Sequence, residues 1–228
     1  MDNGNLISVR ESSTEFLSKG KILHLYGPPK SGKSTLSATI AFELAKHDLQ
    51  VSIISTERPI EIRMQYMIEA EGGYTRELLE TISTSDIFTF DDLIQTLIHD
   101  LPTIELEMDV LIVDSLTSSY RPHADPISLT LLRKALSTLQ SLAINRNIAV
   151  MYTNQVASTM TTNNDFRPVA SASTRSYSDI TTRLTRRSNE STEITFEDLN
   201  GEELEVLEPF TITALGIEEF EQLFQVLE

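Results

Sequence analysis

Cysteine is absent from this chain of 228 residues. That excludes disulfides and thiolate metal sites. Histidine is scarce, and His24, His47, His99 and His123 are scattered without ligand spacing, so they read as ordinary residues. No apolar run approaches the length of a membrane span, and no membrane partner is expected. A basic-then-apolar N-terminal signal is also lacking, which points to a cytoplasmic protein. There is no internal repeat or low-complexity tract, and residues 1–228 read as one domain. Basic residues are few: 18 Lys and Arg stand against 34 Asp and Glu, a formal net charge of -16. As an average, that argues against a nucleic-acid binder.

The charge is not evenly spread. Residues 189–228 hold twelve acids and no base. Residues 166–188 hold five arginines, Arg167, Arg175, Arg183, Arg186 and Arg187, against one acid, Asp179. This basic strip is either a surface that meets phosphates or a solvated β-face. With 40% hydrophobic and 23% charged residues, the chain suits a globular protein with a sizeable core.

Short apolar strands alternate with longer helical patterns. Strands are expected at Ile22–Tyr26, Val51–Ser55, Asp86–Phe90, Val110–Val113 and Ile148–Tyr152. Helices are expected at Lys33–His47, Ile60–Glu71, Asp91–Asp100 and Ser128–Asn145. The alternation predicts an α/β fold with a mostly parallel central sheet flanked by helices. The strands are apolar on both faces, as a sheet covered on both sides requires. Met64 and Met67 lie at helical spacing and read as core. After residue 180, "ITTRLTR", "STEITFED" and "EELEVLEPF" alternate, and Asn200-Gly201 is a hairpin signal. These segments predict a C-terminal antiparallel hairpin extension. Residues 1–20 read as an N-terminal extension, 156–170 as a mobile loop and 189–228 as an acidic C-terminal part.

The stretch "YGPPKSGKST" fits the phosphate-loop pattern at Gly27, Gly32, Lys33 and Ser34. The loop runs through Gly27, Pro28, Pro29, Lys30, Ser31 and Gly32. Its glycines let backbone N–H groups wrap around phosphates, and a helix starting near Lys33 aims its positive end at them. Lys33 would reach the β- and γ-phosphates. The Ser34 hydroxyl would ligate Mg2+, and Thr35 would lie beside the α-phosphate. The expected cofactors are therefore ATP and Mg2+. Lys30 either adds phosphate affinity or points to solvent. Such a site also needs an acid to organise Mg2+ and its waters, and Asp114 ends the strand in "DVLIVDS". Glu57, past the strand in "VSIISTERP", is either the group that activates water or a helix-capping acid. In "IAVMYTNQV", an apolar strand breaks into Thr153, Asn154 and Gln155. Parallel strands point their C-terminal ends to one edge, where ligands bind, and Glu57, Asp114 and Gln155 all lie at such ends.

Together, "VLIVDSLTSSYR" and "NIAVMYTNQV" resemble the ATPase core of the RecA-type recombinases, most closely the archaeal RadA/RadB group. The likeness runs over about residues 20 to 217. "YGPP", "FTITALGIEEFE" and the short length are most similar to the RadB members, recombinase paralogues without a separate N-terminal DNA-binding domain. The resemblance implies a RecA-like P-loop NTPase fold. It maps the catalytic glutamate to Glu57 and the γ-phosphate sensor to Gln155. It opens a first DNA-binding loop at Tyr120-Arg121 and places a second after Gln155. Arg121, Arg167, Arg175 and Arg183 are the DNA-contact candidates.

The chain also departs from that family. After Arg121 the next arginine is Arg133, so fewer DNA contacts are expected from the first loop. No Phe–Ala docking motif is evident, and "SSTEFLSKGK" replaces the usual segment before the phosphate loop. A long filament is therefore not expected, while a smaller homo-oligomer stays open. The expected function is slow ATP hydrolysis by a nucleoid-associated recombinase paralogue. It would bind single-stranded DNA or assist a RadA-type recombinase in DNA recombination and repair. The alternatives are a non-catalytic accessory module for a recombinase and a KaiC-like signalling ATPase.

Overall fold

The computed structural model describes residues 4–10, 14–70, 80–105, 107–120, 125–157, 166–187, 191–213, 215–218 and 220–226. The first elements are β1 (Asn5–Val9), β2 (Glu15–Ser18), β3 (Ile22–Tyr26), α1 (Lys33–Ala45), β4 (Val51–Ser55), α2 (Glu61–Ala70) and β5 (Ile82–Asp86). Next come α3 (Phe90–Gln95), continued by a π-helical turn over Thr96–Asp100, then β6 (Val110–Asp114), α4 (Pro126–Arg146) and β7 (Ala149–Asn154). The chain goes on through β8 (Val156–Ala157), β9 (Arg167–Pro168), α5 (Ser171–Ser176), β10 (Ile180–Arg186), β11 (Ser191–Glu197) and β12 (Glu203–Val206). It closes with β13 (Phe210–Thr213), β14 (Gly216–Ile217), α6 (Phe220–Leu223) and β15 (Phe224–Val226).

The main sheet has the order β14-β13-β11-β10-β3-β7-β6-β4-β5, with β12 pairing β11 off this path. From β10 to β5 every neighbouring pair is parallel. Apolar residues of alternating parity supply the two faces. Leu23, Leu25, Ile53, Ile112 and Met151 pack with α1 and α2, where Met64 and Met67 are core as expected. Ile22, Ile54, Leu111, Val113 and Val150 pack with α3 and α4 on the other face. Helix α4 is sharply bounded. Asp125 accepts from the N–H groups of Ile127 and Ser128 and Pro126 opens the first turn, while Asn147 ends the helix in the left-handed conformation.

Two expectations shift. The strand predicted at Asp86–Phe90 lies at Ile82–Asp86, and Phe90 opens α3 behind Thr89, whose side chain accepts from the Asp92 N–H. This is the edge strand, largely exposed, so "ISTSD" lacks the apolar signature while the following Ile87, Phe88 and Phe90 mimic one. Strand β10 also pairs parallel to β3, so the antiparallel part begins only at β11. The predicted hairpin is present, with Thr195 opposite Val206 and Phe196 opposite Glu205. Among the described residues, no helix is long and apolar enough to cross a membrane.

The segment read as an N-terminal extension contributes structure through residues 4–10 and 14–20. Strands β1 and β2 form a second sheet with β15, in the order β15-β1-β2. Phe16 is fully buried beside Phe224, with ring centroids 4.7 Å apart, and meets Phe196 of the main sheet edge-on at 6.0 Å. Phe16→Ala is expected to cost about 3–5 kcal/mol. Urea unfolding monitored by circular dichroism would show the midpoint fall, with both sheets lost in one transition.

Candidate functional site: a phosphate loop and three strand ends

Strand β3 ends at Tyr26 and the chain turns at Gly27. A Cβ there would lie 2.3 Å from the carbonyl oxygen of Leu184 on β10 and 2.8 Å from Ser31 Oγ, so glycine is required. The loop closes at Gly32, whose φ of +100° is open to glycine and where a Cβ would meet Ile212 Cδ1 at 2.2 Å. Helix α1 then starts at Lys33 with no side-chain cap at its N-terminus. Its first N–H groups therefore stay available to an acceptor.

Lys33 Nζ donates to the carbonyls of Gly27 and Pro28, each at 2.9 Å. Burial lowers the Lys33 pKa, while the nearby carboxylates of Asp114 and Glu57 act in the opposite sense. Asp114 ends β6, half-buried. Its carboxyl pKa is raised chiefly by desolvation, against hydrogen bonds from Thr153 and Ser34 that favour the charged form. The Ser34 hydroxyl and the Asp114 carboxylate are thus neighbours, and both are hard oxygen donors of the kind Mg2+ takes.

Glu57 lies just past β4, and its Oε1 accepts from Gln155 Nε2 at 2.7 Å and from Ser115 Oγ at 3.3 Å. Both bonds fall on one oxygen. Thr56, one residue earlier, clamps the neighbouring strand end: its Oγ1 donates to the Ser115 carbonyl at 2.7 Å and accepts from the Ser115 N–H at 2.8 Å. The ends of β4, β6 and β7 are therefore joined side by side at the mouth of the phosphate loop.

The backbone of Gln155 is anchored to two other segments. Its N–H donates to Thr117 Oγ1 at 3.2 Å, and its carbonyl accepts from the Val169 N–H at 2.9 Å. Asn154 is fully buried and also donates to the Val169 carbonyl at 3.0 Å. Strands β8 and β9 pair Val156 with Pro168 and Ala157 with Arg167, so the segment read as a loop is pinned at its base. Residues 158–165 of that segment lie outside the described residues.

The DNA candidates part company here. Arg167 is exposed on β9. Arg175 is not available at the surface: it is 8% exposed and pairs with the buried Glu197 carboxylate at 2.5 Å. Arg183 is directed to Glu197 at 3.4 Å and to Glu203. The expectation that Arg175 faces DNA is corrected, because a buried carboxylate needs a counter-charge and Arg175 supplies it. Arg121 lies outside the described residues.

Several residues of the site were not singled out from sequence. Arg63 on α2 donates to Thr35 Oγ1 at 2.8 Å. Arg63, Arg186, Thr192 and Ile212 extend the loop into a cleft of about 320 Å³. In the sequence Arg186 reads only as part of the basic strip, and nothing marks Arg63, Thr192 or Ile212, which come from α2 and from the strands β11 and β13 far along the chain. His24 likewise proves structural, stacked on Tyr152 with centroids 4.9 Å apart and placed 3.1 Å from Asn154 Nδ2.

Comparison with known proteins bears on this arrangement. A family model described as Rad51 matches residues 14–185. The DNA repair and recombination protein RadB of Halobacterium salinarum is 28% identical over 174 residues, which cover 74% of this chain and 73% of that protein. Its namesake in Methanocaldococcus jannaschii is 29% identical over 196 residues, covering 83% and 84%. That of Pyrococcus abyssi is 30% identical over 171 residues, covering 68% and 66%.

Burial, with the Arg175 charge nearby, lowers the His24 pKa from 6.5 to about 3. The unfolded chain takes up this proton below pH 6.5 and the folded chain does not. Stability is therefore lost as pH falls through this window, by up to about 1 kcal/mol per pH unit from this group. His24→Phe, which keeps an aromatic ring against Tyr152, is expected to flatten the slope by that amount in urea unfolding from about pH 6.5 to about pH 5.

Proposed function

The chain belongs to the Rad51 family, and on that premise we propose that it is a nucleotide-responsive ATPase that assists homologous recombination and DNA repair. Proteins of this family are generally ATPases that use ATP and Mg2+. The relatives are named DNA repair and recombination protein RadB, which supports the recombination role. The observation that carries the reading is the 2.7 Å hydrogen bond between Gln155 and Glu57 beside the phosphate loop. It puts the candidate water-orienting acid and the candidate phosphate sensor in direct contact.

In this reading the loop backbone from Gly27 to Gly32 and the start of α1 hold the phosphates of ATP. Lys33 exchanges the carbonyls of Gly27 and Pro28 for phosphate oxygens and stabilises the charge that develops on transfer. Ser34 and, through water, Asp114 would hold Mg2+, which would neutralise phosphate charge. Glu57, with Oε1 engaged, offers Oε2 to orient the attacking water. Gln155 exchanges Glu57 for the γ-phosphate. Its backbone bonds to Thr117 and Val169 then carry the change to the segments after residues 120 and 157. Arg167, with Arg121 and the partly engaged Arg183, would meet single-stranded DNA there. A homo-oligomer and a nucleoid setting in the cytoplasm fit this role.

A specific observation favours a second reading. Arg175 and Arg183 are engaged internally, which leaves less basic surface for DNA in a chain of formal net charge -16. The protein would then act as an accessory of a RadA-type recombinase, contacting it through its acidic C-terminal part.

Glu57→Gln is expected to retain ATP binding and lower phosphate release by about a hundredfold or more. Gln155→Ala is expected to retain ATP binding and to make DNA affinity independent of nucleotide. Fluorescence anisotropy with labelled single-stranded DNA, with and without ATP and Mg2+ at two salt concentrations, reads the second effect. Absence of DNA binding at low salt, with ATP bound normally, would discard the DNA role and leave the accessory reading.

A further inference from the structure

Within the phosphate loop, Pro28 to Ser31 form a tight turn closed by the Ser31 N–H to the Pro28 carbonyl at 3.3 Å. Pro29 takes its second position, and Lys30 its third with φ +64°. A proline followed by a residue of positive φ is the type II pattern, whose third position calls for glycine. Lysine there is strained, because its Cβ crowds the backbone in the left-handed region.

The other described non-glycine residues with positive φ are Asp48, Asn147 and Ala170. Asp and Asn tolerate this conformation, and Asn147 uses it to end α4. Ala170 sits at the other site-linked segment, immediately before α5. Lys30 has no comparable structural task. Among the described residues its ammonium has no ion-pair partner, and the side chain is exposed. A strained residue at a ligand loop is a reason to look for function in its side chain.

The surroundings say what that function is. The cleft beside the loop is lined by four cations, Lys30, Lys33, Arg63 and Arg186, and by no carboxylate. The chain as a whole carries -16. Positive charge is therefore concentrated where an anionic ligand enters, and a strongly acidic exterior would otherwise repel that ligand.

We propose that the Lys30 side chain is a second phosphate-binding cation of the loop, acting with Lys33 on the polyphosphate of a nucleotide. This rests on the reading of the loop as a nucleotide site. Lysine is kept at a glycine position because its charge offsets the acidity of the protein at the phosphates.

The test compares Lys30→Gly, which relieves the backbone, with Lys30→Met, which keeps a long side chain without charge. Calorimetric titration with ATPγS and Mg2+ is run at about 0.05 M and about 0.5 M salt. Both variants are expected to bind about three- to fivefold more weakly than the parent protein at low salt. The gap should narrow at high salt, and the thermal midpoint of Lys30→Gly should be no lower than the parent's. Parent-like affinity of either variant at low salt overturns the proposal, since the effect would then be absent or would belong to the backbone. Lys33→Ala separates the two levels of inference. If the parent protein does not bind the nucleotide, or Lys33→Ala binds it equally well, the nucleotide reading falls and this proposal with it. If Lys33→Ala loses binding while either Lys30 variant matches the parent, only the role of Lys30 falls.

Discussion

One buried carboxylate organises the half of the molecule around the phosphate loop. The Glu197 side chain is 1% exposed. Its oxygens accept from Tyr26 OH at 2.8 Å and face the guanidinium groups of Arg175 and Arg183. Tyr26 is the last residue of β3, so the partner of Glu197 is the residue from which the phosphate loop departs. Arg175 lies on α5, just beyond the segment pinned to Gln155 and Asn154. Arg183 is paired directly opposite Tyr26 in the parallel register of β3 and β10. An isolated carboxylate could not be kept charged at this depth. Its three partners come from β3, α5 and β10, and satisfying it fixes these elements against β11. The geometry that makes glycine necessary at Gly27, the approach of the Leu184 carbonyl, belongs to the same β3–β10 pairing.

That interaction also explains where reading the sequence worked and where it did not. The nucleotide-type residues Lys33, Ser34, Glu57, Asp114 and Gln155 were legible because each sits at the end of an apolar strand or inside a short motif. Parallel packing then brings such ends to one edge without further information. The arginines were not legible. Five of them over residues 166–188 look like a basic strip. Arg175 and Arg183 are taken by Glu197 and Glu203, and Arg187 by Glu193, all on strands later in the chain, and linear charge counting cannot see which acid faces which base. Arg63 was hidden for the opposite reason, as one cation on a mixed helical face until α2 brings it to Thr35.

The fold shows the same division. Strands with two covered faces, such as Ile22–Tyr26 and Val51–Ser55, were found at their observed limits because burial on both sides writes an unbroken apolar run. The edge strand Ile82–Asp86 and the small sheet of β1, β2 and β15 were not. An edge strand needs few apolar residues, and a sheet made from the two ends of the chain has no local signature at all. Only Phe16, Phe196 and Phe224, some two hundred positions apart at the extremes, reveal it once they touch.

The acidity of the chain then has a consistent physical meaning. A net charge of -16 lowers the affinity of every exposed surface for polyanions, and salt screens only part of that repulsion. Positive charge therefore has to be local to be useful. Among the described residues it gathers at the cleft of the phosphate loop, lined by Lys30, Lys33, Arg63 and Arg186, and in the interior around Glu197, where Arg175 is sealed in. The cations in the cleft keep their charge available to a ligand, while those around Glu197 use it to hold β10, β11 and α5 in place. The first group faces a cleft that an anion can enter, whereas Arg175 in the second is sealed against Glu197. The Glu57–Gln155 bond and the Gln155 backbone bonds to Thr117 and Val169 tie that cleft edge to β8, β9 and the turn after β6.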